Sequence, residues 1–179
     1  MGRERKKGVG AEASRSTAST GGNPARNQDA ARRFSWEIAS ISMHLEEIRY
    51  FWAKTLGISG PQWMILMALA DIDQDEGVPV NVVSKKLHVD SSFITTQSKL
   101  LEKKGFLRRK TSTEDARIVQ MSLTDKTYKH LAGLAERQEA LNEFIFAELN
   151  DKQLEGLNDT LTALKSRLEK ATVKVAADI

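Results

Sequence analysis

Asp115 and Arg117 stand two residues apart in the stretch TSTEDARIVQMSLT, residues 111–124, directly after the basic run Arg108, Arg109 and Lys110. Val119, Met121 and Leu123 then follow at a spacing of two, interleaved with Gln120 and Ser122, which is the alternation of a half-buried strand. An acid beside an arginine can make a surface ion pair worth almost nothing to stability. It can also hydrogen-bond the guanidinium and fix the direction in which that fork meets a partner. The adjoining positive patch makes an anion the fitting partner, and a local patch is better evidence for a polyanion than bulk charge. The expectation is that Asp115 aims Arg117 at the tip of a hairpin, where an arginine can enter a narrow, electronegative minor groove.

The element before the hairpin must carry the rest of such a site. SSFITTQSKLLEKK, residues 91–104, reads as a helix that Asp90 can N-cap and Gly105 closes. It presents Ser91, Ser92, Thr95, Thr96 and Lys99 away from the apolar Phe93, Ile94, Leu100 and Leu101. Short hydroxyls can approach base edges in a major groove, while Lys99 and Lys103 reach phosphates. An ordinary amphipathic helix with a solvated face is the alternative reading. Upstream, VNVVSKKL after Pro79 predicts a short helix, and the break His88-Val89-Asp90 joins the two as a helix-turn-helix. Strands at 106–110 and 118–123 would complete a winged helix.

Flanking segments supply the frame. Phe34, Ile38, Ile41, Leu45, Ile48 and Trp52 are spaced 4-3-4-3-4, a helical stripe that Leu56-Gly57 ends. Ser59-Gly60-Pro61-Gln62 has the form of a capping box, with Ile58 and Trp63 placed as a hydrophobic staple. PQWMILMALADI is apolar on nearly every side and predicts a central helix, followed by a charged turn at 73–77. A long helix is expected from 124 to about 149. Asn150–Gln153 caps a last one, with Leu154, Leu157, Leu161, Leu164, Leu168 and Ala171 along one seam.

Composition narrows the class. The chain has 179 residues, a net charge of +3 and no cysteine, which excludes a disulfide framework or a thiol switch and fits a cytoplasmic protein. No run approaches the ~20 apolar residues of a membrane span, and no apolar segment follows the basic 1–7 to make a secretory signal. Six basic residues against two acidic ones lie in 1–28, so the surplus positive charge belongs to that segment. Rich in Gly, Ser, Ala, Thr and Arg, it reads as a disordered basic tail, with or without contact to DNA phosphates. No Gly-rich phosphate loop, no nucleophile with a base and no carboxylate pair outside charged turns is visible, so the chain is not expected to be an enzyme, nor to hold a cofactor.

The residues 115–124 resemble the D-x-R-x-x-x-[apolar]-x-L-T stretch of the MarR family of bacterial transcriptional regulators, matched by Asp115, Arg117, Met121, Leu123 and Thr124. LLEKKGFLRR and SGPQWMILMAL are similar to that family's recognition-helix exit and second helix. The resemblance runs over 29–170. It implies a mainly α fold with a small β-hairpin wing: a single domain over 29–179, with 29–57 and 124–172 as dimerisation helices and 58–123 as the winged helix-turn-helix lobe. It implies an obligate homodimer on pseudo-palindromic double-stranded operator DNA, with Ser91, Ser92, Thr95, Thr96, Lys99, Lys103, Arg109, Lys110, Asp115 and Arg117 as the DNA contacts. The two long stripes ask for a dimer independently, an intramolecular core being the alternative. Where the family often has glycine, His88 stands, and histidine tolerates the left-handed conformation better than most residues. Thr96 stands where an arginine is common.

The resemblance also implies a repressor released by a small-molecule effector bound between the dimer helices and the lobe. His44, Arg49, Trp52 and Trp63 are the candidates, as aromatic walls with a cation or donor, against plain packing. The recognition helix and the Ser/Arg-rich leader resemble regulators of aromatic-acid degradation operons, which implies an aromatic acid or its CoA thioester. His44, His88 and His130 fall in three different elements, so no metal site is expected. A sequence-tolerant architectural DNA-binding protein is the rival reading, and a helical interaction scaffold stands behind it.

Overall fold

The structure is a computed structural model that describes residues 24–72 and 77–177. Its elements in chain order are helices α1 (Pro24–Thr55) and α2 (Gly60–Ile72), strand β1 (Val78–Pro79), and helices α3 (Val80–Leu87) and α4 (Ser91–Lys103). Strands β2 (Leu107–Thr111) and β3 (Val119–Leu123) and helices α5 (Asp125–Phe146) and α6 (Asp151–Ala177) follow. The helix begins at Pro24 rather than 29, which corrects the expected tail for residues 24–28. A proline suits a first helical position because its missing N–H has no intrahelical partner to lose there. Residues 1–23, and the charged turn at 73–76, lie outside the described residues.

The chain divides into two units, one up to Ile48 and one from Arg49 onward. In the first, the α1 stripe residues Phe34, Ile38, Ile41 and Leu45 are all exposed. The second holds the core. Ile65, Leu66 and Leu69 of α2 are fully buried with Val83, Ile94, Leu101, Leu107 and Met121, and α2 packs on α3, α4 and β3. The all-round apolar character of α2 has that cause: three elements cover it.

Local signals close the helices. Gly57 (φ +64°) ends α1, with the Gly57 and Ile58 amides donating to the Lys54 and Ala53 carbonyls. Gly105 (φ +76°) ends α4 in the same way, its amide and that of Phe106 donating to Glu102 and Leu101. Both are Schellman motifs, which need a left-handed residue just past the helix. His88 does this for α3 at φ 52° and ψ 44°, its amide reaching Lys85 and that of Val89 reaching Ser84. The Ser59–Gln62 capping box is reciprocal: the Ser59 amide donates to Gln62 Oε1 at 3.2 Å, and the Gln62 amide to Ser59 Oγ at 3.3 Å. Asn150 and Gln153 exchange the same pair of bonds at 3.0 Å each. Asp90 occupies the N-cap position of α4 with extended backbone, but its side chain makes no capping bond.

The sheet has three strands rather than the two of a hairpin, in the antiparallel order β1-β3-β2. Leu107 lies opposite Leu123 and Thr111 opposite Val119, and Val78 pairs with Met121 on the other side of β3. Pro79 is tolerated because β1 is an edge strand with no donor needed on its outer side. Among the described residues no helix is long and apolar enough to cross a membrane.

Candidate nucleic-acid interface

Helix α4 turns Ile94, Ser98 and Leu101 into the core, a 4-3 spacing that leaves the opposite side free. Ser92, Thr96, Lys99 and Lys103 are exposed there. Phe93 and Leu100, expected on the core side, are 38% and 42% exposed. Both sit on the flank of the buried stripe rather than on it, so the division into an apolar and a polar face is corrected for these two.

The hydroxyls are not equivalent. Ser84 Oγ donates to the Asn81 carbonyl at 3.0 Å and lies 2.9 Å from Ser91 Oγ. The single Ser84 hydrogen being used, Ser91 is the donor of that second bond and keeps only acceptor capacity. Thr96 Oγ1 donates to the Ser92 carbonyl at 3.0 Å and is likewise left with acceptor capacity only. Among the described residues the Ser92 and Thr95 side chains have no hydrogen-bond partner.

The wing is tied to α4 by Glu102, whose Oε1 accepts the Arg109 amide at 2.9 Å. Strand alternation sends Arg109 to the same side as buried Leu107, while Arg108 and Lys110 take the other side and are exposed. The structure therefore separates Lys110 from Arg109. A cleft of about 340 Å³ opens between α3, α4 and the wing, lined by Asn81, Ser91, Thr95, Arg109 and Arg117 among others. Among the described residues Arg109 Nε is buried with no hydrogen-bond partner. A buried N–H without an acceptor is costly. Asn81 and Glu102 were not singled out by sequence. Only the first-turn position of Asn81 after Pro79 hinted at it.

At the tip, the expected contact between Asp115 and the Arg117 fork is not made. Asp115 Oδ1 accepts the backbone amide of Arg117 at 2.9 Å, and the Asp115 carbonyl accepts Ile118 N–H at 2.9 Å. Among the described residues, no ion pair joins the two side chains. An aspartate at the first position of a turn reaches the amide two residues on before it can reach a long side chain beyond. The Ser112 amide donating to the Ile118 carbonyl at 2.8 Å closes the loop. Asp115 thus shapes the backbone that carries Arg117.

Of the effector candidates, Trp63 is 2% exposed in the core and Trp52 is half-buried against it. Arg49 is half-buried. His44 is exposed on α1, its Nδ1 4.0 Å from Glu47.

Comparison with known proteins decides what this scaffold is. The sequence model of the MarR family matches residues 58–119, which run from the start of α2 into β3. The chain is 30% identical over 120 residues to the HTH-type transcriptional regulator YfiV of Bacillus subtilis, covering 67% of this chain and 72% of that protein. The chain belongs to the MarR family. A second B. subtilis relative, the HTH-type regulator YdgJ, is 26% identical over 145 residues, covering 74% of this chain and 86% of its own. Among solved structures, a Staphylococcus aureus MepR–DNA complex superposes with a TM-score of 0.65 at 19% identity, covering 75% of this chain and 97% of MepR. MarR proteins are winged helix-turn-helix transcriptional regulators, not enzymes, and here the helix-turn-helix is α3–α4 and the wing is β2–β3.

Proposed function

We propose that this MarR-family regulator binds double-stranded operator DNA as a homodimer, in the cytoplasm, and represses transcription until a small-molecule effector releases it. The observation that carries the DNA reading is the cleft between α4 and the wing. There Arg109 and Arg117 line the same space between α3, α4 and the wing. A backbone phosphate is the ligand such a set fits, since a guanidinium offers a fork of donors and a phosphate only acceptors. Ser92, Thr95 and Thr96 would read base edges, with Ser91 as an acceptor; Lys99, Lys103 and Lys110 would contact phosphate, and Arg117, its backbone set by Asp115, would enter the adjoining minor groove. That MepR, which shares the fold, was solved in complex with DNA supports DNA as the partner.

Homodimerisation rests on apolar surface that a single chain leaves uncovered. No residue of α6 is buried, and Leu157, Leu161 and Leu168 are exposed. The exposed α1 stripe adds to it. Patches of this kind mark interaction sites. The effector reading rests on family resemblance, with an aromatic acid or its CoA thioester as the class and His44, Arg49, Trp52 and Trp63 as candidate contacts. Trp63 would have to leave the core to take part.

The test is the affinity ratio between a site selected from a random duplex pool and unselected duplex, at one salt concentration. A specific regulator gives a ratio of roughly 10³ or more. A ratio near one would favour the architectural alternative, and no binding at low salt a scaffold. Thermal-shift screening against aromatic acids and their CoA esters checks the effector class.

A further inference from the structure

We infer that Phe93 reads the 5-methyl group of a thymine in the major groove. The inference rests on the operator-binding reading above. Phe93 is the third residue of α4, 38% exposed and without a ring partner among the described residues. An exposed aromatic ring beside the hydroxyls and lysines of α4 loses its hydration cost only when a partner covers it.

Helical geometry says which part of a partner. At 3.6 residues per turn Phe93 lies about 60° round the helix from Thr96, on the edge of the exposed side. Thr95, which lines the cleft with the wing, lies about 160° away from it on the other flank. Gln97 and Lys104 share the flank of Phe93 but are engaged, Gln97 accepting from Gln62 and Lys104 donating to the Gly57 carbonyl, so Phe93 is the apolar group of the first turn on the side away from the wing. Base edges in the major groove offer donors and acceptors at every pair, and one apolar group only, the thymine methyl. The methyl read by Phe93 then lies on the side of the half-site away from the minor groove assigned to Arg117. Leu100 shares the flank of Phe93 and is 42% exposed. It sits about 10 Å further along the axis, level with the phosphate-reaching Lys99, while base edges are met by the first turns of a recognition helix.

The experiment uses the full chain and a duplex site selected from a random pool. Each thymine is replaced in turn by deoxyuridine, which removes the methyl and nothing else. One thymine per half-site should show a threefold to fivefold loss of affinity, the size expected for one methyl group withdrawn from contact. Phe93→Ala should bind the thymine and uracil versions equally. Phe93→Leu should keep part of the difference, and Leu100→Ala should keep all of it. If every uracil is silent in the parent protein, or if Phe93→Ala shows the same loss, the inference fails while the operator reading stands. A pool that yields no preferred sequence overturns both.

Discussion

Replacing Asp115 by alanine and by asparagine separates two roles that charge alone would merge. Both changes remove one negative charge close to the proposed path of the phosphates, and Coulomb repulsion between like unit charges in water at about 7 Å is ~0.6 kcal/mol. Charge alone therefore has both variants binding DNA roughly threefold more tightly. The structure gives a different expectation. Asp115 Oδ1 accepts the Arg117 amide at 2.9 Å, and that bond fixes the turn that the Asp115 carbonyl and Ile118 amide close. Asparagine keeps an acceptor oxygen in the same place and forms the same kind of turn; alanine does not. A hydrogen bond of this type contributes about 1 kcal/mol net, so a loosened tip in Asp115→Ala should lose about fivefold, less the gain from the charge. Asp115→Asn should match or exceed the parent. Fluorescence anisotropy on a selected site at fixed salt reads both, with Arg117→Ala as the floor and A·T-rich flanks giving the largest effect. Melting temperatures should stay within about 4 °C of the parent for every variant, the shift that ~1 kcal/mol produces in a domain of this size, because the residue is exposed. Equal affinities for the alanine and asparagine variants would refute the positioning role.

Thr95→Ala should weaken specific binding by ~1–3 kcal/mol and leave random-duplex affinity nearly unchanged, whereas Lys99→Ala should weaken both and flatten the salt dependence by about one counterion. Equal loss on both duplexes for the threonine variant would remove it from base reading. In sedimentation equilibrium at micromolar protein the mass should be twice the 20.0 kDa of the chain; a compact monomer would contradict the dimer. His88→Gly should raise stability to urea by roughly 0.5–1 kcal/mol and His88→Val should lower it, because the φ of 52° suits glycine and penalises a β-branched side chain. A glycine variant no more stable than the parent would mean that the turn carries no strain.

What the sequence announced, it announced through bonds that close within five residues. The Ser59–Gln62 box, the Asn150–Gln153 pair, Gly105 and the left-handed His88 each depend on a short run of chain, so residue type and spacing suffice to place them. Contacts set by the tertiary fold were not legible in that way. β1 is two residues long and contains a proline, and it exists only because Val78 meets Met121 across 43 positions of sequence. Glu102 holding the Arg109 amide needs the wing folded back on α4. The apolar flank of α4 was misplaced for a third reason: apolar type was taken for burial, when the stripe Ile94, Ser98 and Leu101 already fills the core side and includes a serine.

The stretch 111–124 holds two different kinds of residue, and they do different work. Leu123 is buried opposite Leu107, and Thr124 caps α5 by accepting the Thr127 amide at 3.3 Å while its hydroxyl donates to the Gly105 carbonyl at 2.8 Å. Thr127 donates to the carbonyl of Phe106, the next residue along. The end of the wing is thereby fastened to the exit of α4 and to the start of α5 at one point, so the wing has a fixed base. Asp115 and Arg117, at the free end of the same strand pair, are exposed, and their only mutual bond shapes the backbone. A fixed base with a turn-defined tip delivers a cation to a set height above α4 while leaving the guanidinium itself unengaged. An ion pair at the tip would have had to break before Arg117 could meet a phosphate or a groove. An aspartate bonded to the amide instead keeps the position and leaves the charge available.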